Sequence, residues 1–302
     1  MRYLVVLLFI TFHIGAQEVY FEGVVYDHST KETIPFVNLS FLNTLKGTSS
    51  DEEGYFFMDL PTSFLEKQVH ISSLGFKDTI VAAQQLFKSK KIDLVPESFE
   101  LNEVVVSETL GNSDVLNPIS SYRITSGFSS SSTPWVLALY FPNIGKQKKY
   151  IDKITVFFQK NLEFKRGAAK FRIRLYEVDA VTKKPTNDIL YKSIVLETES
   201  NKDYVSIDLS ALSLKMSQEG MYVGLEWLFV PYNWYKKTEN HQITNKLIVE
   251  DRFAPTFGGV YTKNQNFKVM VYGMGNWTDF VVKSKDQTQN FIPAISLKLS
   301  KE

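Results

Sequence analysis

The chain has 302 residues, with 34 basic and 33 acidic side chains and no cysteine. A formal net charge of +1 gives no support for binding to nucleic acid or to another polyanion. The lack of cysteine excludes disulfides and the lipidated cysteine of a bacterial lipoprotein, so the fold must be stabilised by burial alone.

Residues 1–16 (MRYLVVLLFITFHIGA) place one basic residue before an apolar run and a tail of small residues. This order is typical of a secretory signal peptide, and we expect cleavage after Ala16. An uncleaved anchor is the alternative, but a transmembrane helix needs about 20 apolar residues, and this run is broken by Thr11, His13 and Gly15. We therefore expect an exported protein that is periplasmic, outer-membrane-associated or secreted, with no transmembrane span in the mature chain.

Residues 17–107 alternate apolar and polar side chains, which predicts strands with one buried face. The predicted strands cover residues 18–25, 35–42, 55–60, 69–74, 79–82, 91–95 and 103–107. Between two of them, Asp51 can accept backbone hydrogen bonds and Gly54 can take a positive φ, so a hairpin turn is expected there. Short strands at regular spacing with turn residues between them favour an antiparallel sandwich.

The same region carries a family resemblance. The residues concerned are 23–27 (GVVYD), Thr30, 34–39 (IPFVNL), 47–51 (GTSSD), 54–56 (GYF) and 74–76 (LGF). In order and spacing they resemble the carboxypeptidase-regulatory-like domain. The resemblance implies a transthyretin-like, seven-stranded sandwich that acts as an accessory or interaction module and not as a peptidase. Residues 101–106 (LNEVVV) are similar to the segment that follows this domain in TonB-dependent outer-membrane transporters of Bacteroidetes.

Residues 108–134 are rich in Ser, Gly, Thr, Asn and Pro and include a four-serine tract at 129–132, which predicts a linker with an edge strand near residues 122–124. Alternation then resumes to the end of the chain. The strands predicted there cover residues 154–158, 170–176, 204–209, 221–230, 268–273 and 294–299. The only helical feature expected is a turn at residues 212–217. Residues 135–302 are therefore predicted to form a second β-sandwich of jelly-roll type, and the fold class is all-β.

No catalytic or metal-binding pattern emerges from the sequence. His28, His70 and His241 do not lie in an H-E-x-x-H frame, and His70 is expected on an exposed strand face. No G-x-S-x-G elbow follows a strand, and the turn around Asp51 lacks the alternating carboxylates of a calcium loop. We expect no enzyme activity, no metal and no cofactor.

Charged residues within strands are predicted to face solvent. Glu226 lies opposite Leu225 and Trp227 in an apolar strand, and a catalytic carboxylate there is the less favoured alternative. Arg172 and Arg174 are the outward residues of their strand, so a solvated basic face is expected. Trp227 is assigned to the core.

Two aromatic segments give the best indication of binding: residues 231–237 (PYNWYKK) and 273–279 (GMGNWTD) each follow a strand. Aromatic rings stack on the apolar faces of sugars, while amide groups bind the hydroxyls. The candidate ligand-binding residues are Tyr232, Asn233, Trp234, Tyr235, Asn276 and Trp277. The alternative is that the two tryptophans only cover the end of the sandwich.

Taken together, the sequence favours an exported, non-enzymatic binding or interaction protein of the bacterial cell envelope, with polysaccharide as the ligand class suggested by the aromatic segments. The alternative is a structural or assembly partner of an outer-membrane, TonB-dependent transport complex or another envelope complex. An enzyme with an unfamiliar carboxylate site is the third hypothesis.

Overall fold

The computed structural model describes residues 18–97, 113–146, 148–190, 192–240, 246–273 and 275–301. Several sequence predictions lie outside these described residues: the signal peptide, the strand at 103–107, the segment 101–106 and His241. Within the described residues most of the regular secondary structure is β-strand, which confirms the all-β fold class.

The N-terminal domain is a sandwich of seven strands in two sheets. Its strands are β1 (Glu18–Asp27), β2 (Asn38–Phe41), β3 (Gly47–Ser49), β4 (Tyr55–Pro61), β5 (Gln68–Ser72), β6 (Thr79–Ala82) and β7 (Lys91–Leu94). One sheet has the order β4-β1-β7, with β1 and β7 parallel, and the other has the order β3-β2-β5-β6. Phe21 of β1 packs against Phe41 of β2, with ring centroids 5.3 Å apart, so the core lies between the two sheets.

The hairpin turn between β3 and β4 has the predicted chemistry. The Asp51 Oδ1 accepts hydrogen bonds from the backbone N–H groups of Glu53 (3.1 Å) and Tyr55 (2.8 Å). Gly54 has φ +80°, a left-handed conformation that glycine adopts at no steric cost. The acidic cluster at this position is therefore a turn, as the sequence indicated.

One helix was not predicted. Helix α1 (Ala83–Ser89) connects β6 to β7 and buries Ala83 and Leu86. It has only seven residues, too few for an apolar repeat of 3.6 residues to be recognised in the sequence. Short 3₁₀ helices lie at Thr62–Glu66, Ser121–Arg123, Ile144–Lys146, Ser210–Leu212 and Pro231–Asn233.

The second domain is a larger sandwich. Its strands are β8 (Asp114–Leu116), β9 (Ser126–Ser130), β10 (Val136–Phe141), β11 (Lys149–Phe157), β12 (Lys170–Val178), β13 (Pro185–Asp188), β14 (Ile194–Glu197), β15 (Tyr204–Asp208), β16 (Met221–Trp227), β17 (Trp234–Asn240), β18 (Leu247–Thr262), β19 (Val269–Gly273), β20 (Asn276–Asp279), β21 (Asn290–Pro293) and β22 (Ile295–Lys301).

These strands form three sheets around one core. The large sheet has the order β13-β12-β16-β10-β19-β20, with β14 also paired to β12. The second has the order β15-β11-β22-β8, and the third β17-β18-β21 with β9 paired to β18. Trp227 of the large sheet and Phe257 of the third sheet lie 4.5 Å apart between ring centroids, so the sheets face each other and Trp227 belongs to the core as predicted.

The predicted linker is wrong for residues 113–134. Strand β8 pairs with β22, and β9 pairs with β18, so both belong to the second domain. Residues near Tyr122, predicted as an edge strand, form a 3₁₀ helix instead. Gly127 lets β9 approach β18 closely, because a Cβ there would lie 2.6 Å from the Phe257 carbonyl oxygen. Small residues in this segment thus serve close strand packing.

The two domains are joined by direct hydrogen bonds. The Ser49 N–H of β3 donates to the Phe229 carbonyl (3.3 Å), and the Phe229 N–H donates to the Ser49 Oγ (2.9 Å). The Thr133 hydroxyl bonds the Ser40 hydroxyl at 3.2 Å. The N-terminal domain therefore covers part of the outer face of the large sheet.

Candidate functional site

A cleft of about 430 Å³ lies where the N-terminal domain meets the outer face of the large sheet. Strands β2 and β5 and the segment after β5 form one wall, and strands β12, β16 and β19 with the β19–β20 hairpin form the other. Aromatic side chains of the second wall are Trp135, Tyr176, Tyr272 and Trp277. We refer to this concave site as the interdomain cleft.

Strand alternation explains which side chains reach the cleft. Arg172, Arg174 and Tyr176 are alternate residues of β12, so they lie on one face of the sheet. Glu226 pairs with Arg172 across the β12–β16 ladder and therefore points to the same face. The sequence placed these residues on the face away from the sandwich core, which is correct. That face is covered by the N-terminal domain and is not solvated.

The predicted exposure of Glu226 and Arg172 is therefore wrong. Their side chains are each only 1% exposed, and Arg172 Nη1 lies 3.2 Å from Glu226 Oε2. Arg172 also donates to the Phe36 carbonyl of the N-terminal domain (2.6 Å) and, through Nε, to the Ser193 hydroxyl (2.7 Å). Asn38 of β2 donates to the other oxygen of Glu226. The ion pair belongs to the second domain and is also bonded to Phe36 and Asn38 of the N-terminal domain.

A second arginine extends this network toward the cleft. Arg174 Nη1 lies 3.3 Å from Glu226 Oε2, and Arg174 Nε donates to Asp188. Two arginines thus face two carboxyl groups, which is the pairing that buried charges require. Arg174, Asp188 and Glu226 all line the cleft.

The two carboxyl groups have pKa values shifted in opposite directions. Burial acts to raise the pKa of Glu226, but the charges of Arg172 and Arg174 outweigh it and hold that pKa below its ordinary value. Burial raises the pKa of Asp188 more strongly than Arg174 and the backbone N–H of Leu190 lower it. Glu226 is therefore a carboxylate at neutral pH, held by two guanidinium groups.

The opposite wall contains a histidine that was expected to be exposed. His70 of β5 is buried, and its Nε2 lies 3.0 Å from the Asp78 Oδ2. The Tyr272 hydroxyl of the second domain donates to the same oxygen at 3.5 Å. The sequence put His70 on the face away from Val69 and Ile71, but it could not show that the second domain packs there.

Trp277 forms the aromatic end of the cleft. Its ring packs edge-on to Tyr176, with centroids 5.0 Å apart, and against Tyr272 at 5.2 Å. The residue lies in strand β20 and is half-buried. The neighbouring Asn276 is exposed and does not belong to the cleft lining. The cleft therefore combines partly exposed rings with a fixed set of hydrogen-bonding groups.

The other predicted ligand residues lie elsewhere. Tyr232 donates to Glu197 and lies under the guanidinium of Arg166, 4.4 Å from its ring centroid. Trp234 is 45% exposed, and its indole N–H donates to Asp251 (3.0 Å). Of the six candidates, only Trp277 lines the cleft. The two aromatic segments thus do not share one binding surface.

Asn233 and Tyr235 are buried. Asn233 Oδ1 accepts from the Lys170 N–H (2.8 Å), and its Nδ2 donates to the carbonyls of Lys170 (2.7 Å) and Leu228 (2.8 Å). Tyr235 packs against Phe164, with centroids 5.5 Å apart. Both side chains make contacts within the fold, whereas the sequence suggested that they bind a ligand.

From the sequence, none of the histidines was expected to bind a metal ion. His28 is exposed in a turn, as expected. In the described part of the chain, no three His, Asp or Glu side chains are grouped so that they could hold a metal ion.

Sequence reasoning missed most of the cleft. Asn38, Asp188, Tyr176 and Tyr272 were not singled out, and Arg174 was assigned to a solvated face. One signal was present: a carboxylate in the otherwise apolar run of β16 faces a strand with two arginines on the same side. That pattern could have identified the ion-pair network, but it does not show what covers the face.

Comparison with known proteins identifies the first domain. Residues 21–106 match the family model of the CarboxypepD_reg-like domain, as the resemblance predicted. The match covers less than a third of the chain and does not reach the second domain. No curated protein matches the chain.

Proposed function

We propose that this chain is a non-enzymatic binding protein of the bacterial cell envelope and that its interdomain cleft holds an uncharged saccharide. The observation that carries the proposal is the composition of the cleft: Trp277, Tyr176 and Tyr272 line it together with the exposed polar side chains of Thr186 and Asn187. Sugar rings need both apolar faces and oriented polar groups. The proposed binding site is therefore the interdomain cleft and not the pair of aromatic segments predicted from the sequence.

The charges of the cleft favour an uncharged ligand. Its lining contains Arg174 as well as four acidic residues, which are Asp78, Glu97, Asp188 and Glu226. Arg174 is already paired with two of those carboxyl groups. An anionic ligand would therefore meet no free cation in the cleft lining and would be repelled by the carboxylates.

The proposal of a binding protein and not a hydrolase is supported by the state of the two carboxyl groups. A glycosidase needs one carboxyl group to donate a proton and another to attack or to activate water. Glu226 is 1% exposed and bonded to two arginines and Asn38, and Asp188 is also bonded to arginine. Both carboxyl groups are bonded within the protein, whereas a carboxyl group that reacts must contact the substrate.

Isothermal titration calorimetry against a panel of neutral plant and host polysaccharides tests the saccharide proposal. We expect Trp277→Ala to weaken binding about tenfold, since a lost stacking contact of about 1.4 kcal/mol corresponds to that factor. Trp234→Ala is the matched control, because Trp234 is exposed but lies outside the cleft, and its affinity should equal that of the unmodified protein. No heat of binding at millimolar saccharide, or equal loss in both variants, would overturn the proposal.

Placement in the envelope rests on residues 1–16, which have the composition of a signal peptide. Within the described ranges, no helix has the length and apolar composition that crossing a bilayer requires. We propose that the mature protein acts in the periplasm, at the outer membrane or outside the cell.

A second candidate function is assembly with an outer-membrane transport complex. Its support is an aromatic surface on the outer face of the β4-β1-β7 sheet, where Tyr20 is 68% and Phe57 is 44% exposed. The two rings stack with centroids 5.8 Å apart. Exposed aromatic pairs are enriched in protein interfaces.

Replacing both rings in the variant Tyr20→Ser/Phe57→Ser tests this second candidate. We expect the variant to lose co-purification with integral outer-membrane proteins after detergent extraction of envelopes, since serine removes the apolar contact area. Ile80→Ser, at an exposed position of the other sheet, should leave recovery unchanged. Equal recovery with all three proteins would count against the assembly role.

A further inference from the structure

A second cavity, of about 250 Å³, lies inside the second sandwich. It opens between the large sheet and the third sheet, beside the segment that follows β20. Its walls include Trp135, Trp227, Phe128, Phe280, Phe291 and Leu137. We name this cavity the apolar pocket.

The chemistry of the apolar pocket differs from that of the interdomain cleft. Among the described residues that line it, none has a charged side chain. The indole N–H of Trp227 donates to the Pro255 carbonyl (2.8 Å), and that of Trp135 donates to the Ser130 hydroxyl. Both donors are thus satisfied within the protein. A water molecule needs two to four polar partners, so this lining suits an apolar occupant better than water.

The apolar pocket is accessible from solvent. Val282 at its rim is 38% exposed, and Ser129 beside it is exposed too. The apolar pocket and the cleft lie on opposite faces of the large sheet, because consecutive residues of β10 line them: Val136 lines the cleft and Leu137 the apolar pocket. Trp135, which precedes β10, lines both sites, so the cleft and the apolar pocket share this side chain.

The size of the apolar pocket limits its occupant. A dry cavity of about 150 Å³ holds a benzene ring, whereas drug-sized ligands fill about 300 Å³ or more. At about 250 Å³ the apolar pocket is between these limits. It is too small for a helix, whose diameter with side chains is about 10 Å.

We propose that the apolar pocket is a second binding site, which takes an uncharged apolar group: a single aromatic ring or a short acyl chain. Trp135 and Trp227 stack on each other with ring centroids 5.8 Å apart, and Phe128 and Phe291 do so at 4.8 Å. These four rings line the apolar pocket and give a planar ligand aromatic partners.

The indole N–H signals of the protein report occupancy directly. The chain has four tryptophans, and two of them line the apolar pocket. In ¹H–¹⁵N spectra of the purified protein titrated with toluene, we expect saturable shifts of the Trp135 and Trp227 signals with a Kd of about 1 mM or tighter. The Trp234 signal should not move. Trp→Phe variants assign the four signals.

Blocking the rim provides the decisive comparison. Val282→Phe should abolish the saturable shifts, while Val281→Phe should preserve them, since Val281 is exposed next to the rim but does not line the apolar pocket. Titration with 1-hexanol distinguishes a chain from a ring, and benzoate should not bind because the lining offers no cation. The proposal is overturned if the unmodified protein shows no saturable shift with either neutral probe, or if Val282→Phe binds as well as Val281→Phe.

Discussion

Replacing Arg172 with methionine is expected to lower the free energy of unfolding by about 3 kcal/mol, because the buried Glu226 carboxylate loses one of its two guanidinium partners and keeps only Arg174. Arg172 is completely buried and contacts Glu226 at 3.2 Å. Its loss also leaves the Phe36 carbonyl and the Ser193 hydroxyl without a donor. Chemical denaturation followed by circular dichroism measures the difference.

The same strand supplies the control. Lys170 also forms an ion pair across the domains, with Glu52, but the two side chains are 21% and 53% exposed. An exposed pair contributes about 1 kcal/mol or less, so Lys170→Met should cost correspondingly little. If Arg172→Met costs no more than Lys170→Met, the buried network does not stabilise the protein as we infer.

A double replacement separates the charge from the packing. In Arg172→Met/Glu226→Leu both members of the pair become apolar, and Arg174 keeps its contact with Asp188. Because two apolar groups of similar volume can replace a buried ion pair at little cost, the double variant should be more stable than Arg172→Met alone. That result would indicate that the ion pair serves to specify how the two domains pack together.

The sequence predicted strand faces well, because the side-chain period of two is a local property. The alternation in β12 and β16 placed Phe171 and Trp227 toward the sandwich core and Arg172 and Glu226 away from it, as the structure does. The turn at Asp51 was predictable for the same reason, since its hydrogen bonds join residues only a few positions apart.

What covers a strand face was not predictable from alternation. Arg172, Glu226 and His70 point away from the core of their own domain. From the sequence alone, side chains in such positions are expected to face solvent. They are buried because the two domains pack through these faces, which depends on contacts between residues far apart in the chain. The interdomain cleft is formed by the same packing, so its location could not be read from either domain alone.

Amino-acid composition predicted the structure less well than strand alternation did. The small polar residues of 113–134 indicated a linker, yet Phe128 in that segment stacks on Phe291 at 4.8 Å and β9 joins the third sheet. In the same way, Asn and aromatic residues in 231–237 indicated a binding loop. Composition reports which residue types are present, whereas their role here depends on which backbone groups they reach.

Asn233 is the strongest example, and replacing it tests the distinction between a ligand-binding and a structural role. Asn233→Ala removes three hydrogen bonds to the backbone of Lys170 and Leu228 at a position that is 0% exposed. A buried polar group left without a partner costs about 1–3 kcal/mol, so we expect the free energy of unfolding to fall by about 3 kcal/mol. Asn276→Ala, at the other predicted asparagine, is exposed and should change it by about 0.5 kcal/mol or less. Thermal and chemical denaturation of both variants measure the difference, and saccharide affinity of the folded Asn233→Ala protein should be unchanged. A stable Asn233→Ala variant with weakened saccharide binding would instead restore the loop as the binding site.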